Sequence, residues 1–184
     1  SDELELMQSR HADYYLHLTE TAEPHLTRER QAEWFHRLEI EQNNLQAALD
    51  WRIANADYQQ AGRMVGVLWR FWSAHSRLSV GTNWIEQVLT HAQSLTPSVH
   101  AKVLHGAGRL FLLQYRYPEA KTHLQSSLPL YEQSNDQDGL AAVYVSLGEI
   151  ALDKSDVLGA EGNFQHALAL YVALDDQAGF ARCL

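Results

Sequence analysis

The sequence has little of several features that define common protein classes. Of its 184 residues only one, Cys183, is a cysteine. A single cysteine cannot form an internal disulfide or a thiolate metal cluster, which favours a reducing, cytoplasmic compartment. No apolar run approaches the roughly 18 residues needed to cross a bilayer, so we expect no membrane segment. The chain begins with Ser1-Asp2-Glu3, which is unlike a signal peptide and lacks an initiator Met, so we expect part of a longer protein.

Basic residues are also scarce. Fourteen Lys and Arg stand against 23 Asp and Glu, which gives a formal net charge of -9. A nucleic-acid-binding surface is normally rich in positive charge, so we expect no direct nucleic-acid contact from this chain. Hydrophobic residues make up 46% of the sequence and charged residues 20%, which is typical of a globular protein with a core.

Apolar residues recur at helical spacing almost throughout, in stripes such as 4–18 and the long run 34–53. Asn55-Ala56-Asp57 predicts the end of one helix and the start of the next, Ser76 lies in a further break, and Thr96-Pro97 is a helix start signal. No segment alternates as a strand does, and no Asn-Gly or Asp-Gly hairpin turn occurs. We therefore predict an all-α fold.

The second half of the chain repeats itself with a period of 40 residues. A shift of 40 aligns twelve identical pairs over 101–180 without a gap, among them Gly108 with Gly148 and Ala120 with Ala160. A period of this size in a helical chain predicts stacked antiparallel helix pairs, an α-solenoid. We expect the glycine and the alanine of each unit to lie where the two helices of a pair cross closely.

The small residues follow the pattern of the tetratricopeptide repeat (TPR), and we predict a TPR-like superhelix. The unit is about six residues longer than a standard 34-residue TPR, so its helices or connections must be extended. An offset of 39 extends the pattern backwards with a degenerate unit. The predicted organisation is an N-terminal helical segment at 1–60, then units at 62–100, 101–140 and 141–180, and a further unit that begins at 181.

The stretch from Arg10 to Ala92 is the most distinctive part of the chain. Its specific element is the run Leu-Glu-Ile-Glu-Gln-Asn-Asn-Leu-Gln-Ala-Ala-Leu at 38–49. It resembles the helical region that follows the NB-ARC-type ATPase module in large bacterial STAND-class signalling proteins, many of them transcriptional regulators. The resemblance covers essentially the whole chain, and it implies a helical segment that leads into a TPR superhelix.

Motifs for catalysis and for cofactors are missing. No G-x-x-x-x-G-K-[ST] phosphate loop occurs, so the ATPase of such a protein lies outside this chain, as does any DNA-binding module. No two of the ten histidines are three or four residues apart, so we expect no metal site. Gly106-Ala107-Gly108 lies within a helical stripe, which favours close packing over a dinucleotide site. We predict no enzyme activity and no cofactor.

The five tryptophans are spaced as core residues, since each ring removes some 150–250 Å² from water on burial. We expect Trp69 and Trp72 to attach the N-terminal helices to the first repeat.

One charge pattern predicts a binding surface. In TPR-like stacks the first helix of each pair lines the concave face, and its offsets place five basic residues there: Arg63, Arg70, Lys102, His105 and Arg109. A basic strip in an acidic protein favours an acidic or phosphorylated partner segment. The alternative is that these are ordinary solvated charges, some of them paired with glutamates.

Three functions are compatible with the sequence. The first is the sensor or coupling arm of a STAND-type regulator, which binds a protein partner or a small-molecule inducer. The second is a TPR adaptor that holds an acidic peptide, and the third is a small-molecule-binding or enzymatic helical domain. Self-association into a homodimer through an unpaired helix face is a further expectation.

Overall fold

The computed structural model describes residues 2–27 and 30–183, and this part of the chain consists of helices and short connections without a strand. The all-α prediction is confirmed. The α-helices are α1 (Asp2–Ala22), α2 (Gln31–Ile40), α3 (Gln42–Ala54), α4 (Tyr58–Ala74), α5 (Leu78–Leu89), α6 (Pro97–Leu113), α7 (Tyr117–Gln133), α8 (Gln137–Asp153), α9 (Val157–Ala173) and α10 (Gln177–Ala181). Two short 3-10 helices, Glu23–His25 and Ala92–Ser94, follow α1 and α5.

Helices α4–α5, α6–α7 and α8–α9 form three antiparallel pairs stacked side by side, which is the predicted α-solenoid. The first helices of successive pairs begin at 58, 97 and 137, and α10 begins at 177. These starts lie about four residues before the predicted boundaries at 62, 101, 141 and 181. The difference arises because the sequence alignment rests on small residues inside the helices, which fix the phase of the repeat but not its ends.

Two 17-residue helices and two three-residue turns make up the 40-residue period. The length beyond a standard TPR therefore lies in the helices. The middle residue of each turn has positive φ, as at Tyr115 (58°) and Ser155 (60°). The amide after it donates to a carbonyl five residues earlier, Arg116 N to Phe111 O at 2.9 Å, which closes the helix in a Schellman-type turn.

The long apolar stripe at 34–53 is divided between α2 and α3, a break that the periodicity does not predict. Glu41 lies at the break with φ -89° and ψ 7°. Its carboxylate accepts hydrogen bonds from the Tyr15 hydroxyl at 2.6 Å and from Asn44 Nδ2 at 2.8 Å. The contact with α1 thus holds the residue at which the stripe divides.

Helix starts follow the sequence signals, although not always through the expected bonds. Asp136 and Asp156 cap α8 and α9 by accepting the amides of residues 139 and 159 at 2.8 and 2.9 Å. Helix α6 begins at Pro97 as predicted, but the Thr96 side chain makes no capping bond. The Thr96 amide donates instead to Gln59 Oε1 at 2.9 Å, which ties the start of α6 to α4.

One main hydrophobic core runs from Ala12 in α1 to Ile150 in α8, and the last pair has a smaller cluster of its own. Four of the five tryptophans are buried in the main core and Trp51 packs against it, as predicted. Gly108 faces Leu124 and the backbone of Ala120 within its own pair, which is the predicted close crossing, whereas Gly148 faces the ring of Phe164.

Arg52 fastens the N-terminal helices to each other and to the solenoid. Its side chain is 2% exposed and forms ion pairs with Asp13 of α1 and with Asp57 at the start of α4. Because a buried arginine without both partners is costly, this network fixes α1, α3 and α4 together. None of the described helices is both long enough and apolar enough to cross a bilayer.

Candidate binding groove

The first helices of the pairs lie in a row, in which α4 contacts α6 and α6 contacts α8. Together with Leu26, Thr27, Gln31 and Phe35 they line a cavity of about 380 Å³, which we call the first-helix groove. Helices α4 and α6 lie between two sides, one formed by Leu26, Thr27 and residues of α2, and the other by α8. The lining residues are Leu26, Thr27, Gln31, Phe35, Trp69, Arg70, Ser73, Ala74, His105, Arg109, Ala142, Val145, Ser146, Glu149 and Arg182.

Two members of the predicted basic strip, Arg63 and Lys102, are paired with acidic residues of the same chain. Arg63 binds Glu20 of α1, with 2.5 Å between Nη2 and Oε1. Lys102 binds Glu23 of the first 3-10 helix at 2.7 Å. These two positive charges are therefore already neutralised, and neither residue lines the first-helix groove.

Arg109 lines the groove and forms an ion pair with Glu149 of the next pair. Its guanidinium also donates to the Ser146 hydroxyl at 3.3 Å. Arg109 and Glu149 occupy the same offset in successive units, so the ion pair joins α6 to α8 across the junction. The groove keeps a positive charge at this point, but a partly compensated one.

His105 is the most buried member of the strip, with 6% of its surface exposed. Burial, together with the positive charges of Arg70 and Arg109, holds the pKa of its imidazole well below the usual value. The ring is therefore neutral at pH 7, and its Nδ1 lies 3.4 Å from the Tyr131 hydroxyl. His105 contributes a polar surface to the groove and no charge.

Arg70 differs from the other members of the strip. Its guanidinium lies over the indole ring of Trp69, 4.4 Å from the ring centroid. No described residue forms an ion pair with it, and burial lowers the pKa of the guanidinium despite the opposing charge of Glu23. A second, smaller cavity of about 120 Å³ shares Trp69, Arg70 and His105 with the groove.

The structure thus brings Arg70, His105 and Arg109 together in one groove, whereas Arg63 pairs with α1 and Lys102 with the 3-10 helix that follows it. Sequence reasoning missed the acidic partners. Glu149 could have been predicted from the sequence. The 40-residue shift aligns it with Arg109, which places opposite charges at the same position of successive units. Glu20 and Glu23 gave no signal, since their contacts depend on how α1 lies against the solenoid. The contribution of Leu26, Thr27, Gln31 and Phe35 to the groove was missed for the same reason.

Metal chemistry has no support in the part of the chain that is described. Over residues 2–27 and 30–183, no group of three or more His, Cys, Asp or Glu side chains is arranged to hold a metal ion. The groove combines apolar walls with arginine, histidine, amide, carboxylate and hydroxyl groups.

Comparisons with known proteins define the class of fold. No protein-family model matches the chain, and a search of curated proteins gives no match. Among solved structures, the chain is similar to BtubC (BKLC) from P. vanneervenii, with a TM-score of 0.53 and 14% sequence identity. The match covers 96% of this chain and 88% of that one. At this identity the likeness shows the helical fold alone.

Proposed function

We propose that this chain is a non-catalytic, TPR-like binding scaffold that serves as the cytoplasmic sensor arm of a larger bacterial signalling ATPase or transcriptional regulator. A protein or peptide partner, or a small-molecule inducer, binds in the first-helix groove. The observation that carries this proposal is that the first helices of three successive pairs contribute to one groove, with Arg70 and Arg109 in its lining.

A ligand in this groove touches several helix pairs at once. Because α4, α6 and α8 belong to different pairs, a bound partner favours the arrangement of pairs that fits it best. In the proposed mechanism that preference is passed to the ATPase module, which lies elsewhere in the protein. The link to an ATPase rests on the sequence resemblance at 38–49.

The TPR adaptor is the second candidate, because the same groove serves it equally well. The two differ in what precedes the chain. A phosphate-loop motif upstream in the full reading frame supports the sensor arm, and its absence there contradicts it and leaves the adaptor.

An array of acidic peptides tests the binding role directly. We expect the wild-type chain to retain peptides rich in Asp and Glu and to release their Lys-rich counterparts. The double variant Arg70→Glu, Arg109→Glu should lose this retention by about tenfold or more, because charged contacts to the groove are reversed. Arg116→Glu is the matched control, since Arg116 stacks on Phe111 at 4.3 Å but lies outside the groove. Equal retention by all three proteins contradicts the proposal.

A further inference from the structure

Arg70 is a partly desolvated cation that forms no ion pair with a described residue, although the carboxylates of Glu23 and Asp138 act on its charge and line the second, smaller cavity beside it. The other basic residues of the strip either pair with a glutamate or, like His105, are neutral. A charge that is withdrawn from water without a partner is costly, and an anion bound beside it removes that cost. Among the described residues, Arg70 is therefore the charged member of the strip without an ion pair, and a negative group would gain most on its groove side.

The surroundings of Arg70 restrict the shape of that group. The Trp69 ring lies against one side of the guanidinium, which limits the directions in which the side chain can turn. A fixed, planar guanidinium offers parallel N–H donors that match the two oxygens of a carboxylate. The nearby lining is apolar at Leu26, Phe35 and Val145, so a ligand needs an apolar body beside its anionic group.

The size of the groove restricts the ligand further. Its volume of about 380 Å³ lies in the range of small-molecule sites, roughly 300–1,000 Å³. Leu26, Thr27 and residues of α2 line one side of it, and α8 lines the other. A groove of this size favours a compact molecule over an extended chain that runs along the whole solenoid.

We propose that the Arg70 side of the first-helix groove binds a small organic anion, a carboxylate carried on a flat apolar body. The guanidinium of Arg70 binds the carboxylate, and Trp69 and Phe35 contact the body. The neutral polar groups of the same lining are those of Thr27, Gln31, Ser73, His105 and Ser146. This inference rests on the proposed binding role of the groove and names the chemistry of its inducer.

The test uses three probes: 3-phenylpropionate, its neutral amide 3-phenylpropanamide, and propionate, which lacks the ring. Binding to the whole chain is followed by the NMR shift of the Trp69 indole N–H, assigned with Trp69→Phe. We expect 3-phenylpropionate to bind about tenfold or more tightly than either other probe, since hydrogen bonds to a charged group are the strong ones. Arg70→Gln should remove the preference for the acid over the amide.

Two further variants keep the result decisive. Arg70→Lys retains the charge but not the planar donor pair, so the preference for the acid over the amide should fall without vanishing. This variant also tests the proposal if Arg70→Gln does not fold. Arg116→Gln, an arginine stacked on an aromatic ring outside the groove, should bind as wild type does.

The inference is overturned if the acid and the amide bind alike, or if Arg70→Gln keeps the preference for the acid. It is also overturned if none of the three probes binds. If the acidic peptides are nevertheless retained by the groove, the proposed binding role stands and only the small-anion ligand is wrong.

Discussion

The two junctions between successive helix pairs are built differently. At the first junction, between α4–α5 and α6–α7, the first helices α4 and α6 contact each other closely along their length. Glycines make this approach possible. A Cβ on Gly66 would lie 3.2 Å from Lys102 Cβ, and one on Gly106 would lie 2.8 Å from Trp69 Cδ1. The first junction is thus a close contact of helix backbones.

At the second junction, between α6–α7 and α8–α9, helix α6 touches α8 only slightly, and α8 packs mainly against α7 and α9. The positions that align with Gly66 and Gly106 are occupied at this junction by larger residues, His105 and Ser146. A polar bridge, Arg109 to Glu149, spans the gap instead. One 40-residue plan therefore gives a closed or an open junction according to the size of a few residues, and the open one contributes to the groove.

The largest effect is expected from filling the closed junction. Gly106→Leu places a large side chain against Trp69, and we expect a loss of about 3 kcal/mol in the free energy of unfolding through overpacking. Urea denaturation followed by circular dichroism measures it. The control is Gly162→Leu, because nothing lies within 4 Å of a Cβ there. That change should stabilise α9 by about 0.5 kcal/mol through helix propensity alone. Equal effects of the two substitutions would show that the first junction is not close-packed.

The next effect is a dependence of stability on pH that arises at the groove. His105 faces Arg70 of α4, Arg109 of α6, Tyr131 of α7 and Arg182, and burial is the main cause of its lowered pKa. The unfolded chain therefore binds a proton on this histidine at a higher pH than the folded chain does. Stability should fall as the pH drops below about 6.5, by up to about 1.4 kcal/mol per pH unit for this one group.

Thermal and urea unfolding between pH 7.5 and pH 5 measure this slope. His105→Gln should make it shallower, while His36→Gln, an exposed histidine on α2, should leave it as it is. A slope that His105→Gln does not change would mean that the histidine carries a proton in the folded chain. Burial lowers the pKa of His100 and His123 as well, so some acid sensitivity should persist in the variant.

The turns do not differ between the two junctions, so the third prediction tests a turn on its own. Ser155, exposed at the turn between α8 and α9, has φ 60°, a conformation that favours glycine. Ser155→Gly should therefore stabilise the chain by about 1 kcal/mol, measured by urea denaturation. Asn135→Gly is the control and should gain less, since asparagine tolerates this conformation better. A loss of stability in Ser155→Gly would show that the serine side chain contributes to the turn.

Much of this fold could be predicted because its determinants are local. Apolar spacing, the turn signal at Asn55-Ala56-Asp57 and the 40-residue period all act within one or two helices. The break at Glu41 could not be predicted, because Tyr15 stabilises it from 26 positions away along the chain. The groove could be predicted only in part, because some of its contacts follow from the repeat and others join residues far apart in the sequence. The repeat places Arg70 and Arg109 on one face, whereas the partner of Lys102, Glu23, is 79 positions distant.

The smallest effect on stability is expected from opening the second junction further. The Glu149 side chain is 41% exposed and that of Arg109 is 22% exposed, so the ion pair between them is screened by water and salt. Glu149→Gln should cost about 0.5 kcal/mol or less at low salt, and less still in about 1 M NaCl. Glu119→Gln, which removes a similarly exposed partner of Arg116, is the control. A cost near that of Gly106→Leu would mean that this ion pair, rather than packing, holds the second junction together.

The same substitution has a second consequence that stability does not report. Without Glu149, the Arg109 guanidinium loses its ion-pair partner and lines the groove, with Arg70, as a second cation without an ion pair among the described residues. Affinity for 3-phenylpropionate should therefore rise by about threefold to tenfold, while affinity for the neutral amide stays constant. The NMR titration of the Trp69 indole measures both. If Glu149→Gln raises the affinity for the acid no more than that for the amide, Arg109 does not act on the anion. Arg70, at the closed junction, then binds the anion alone.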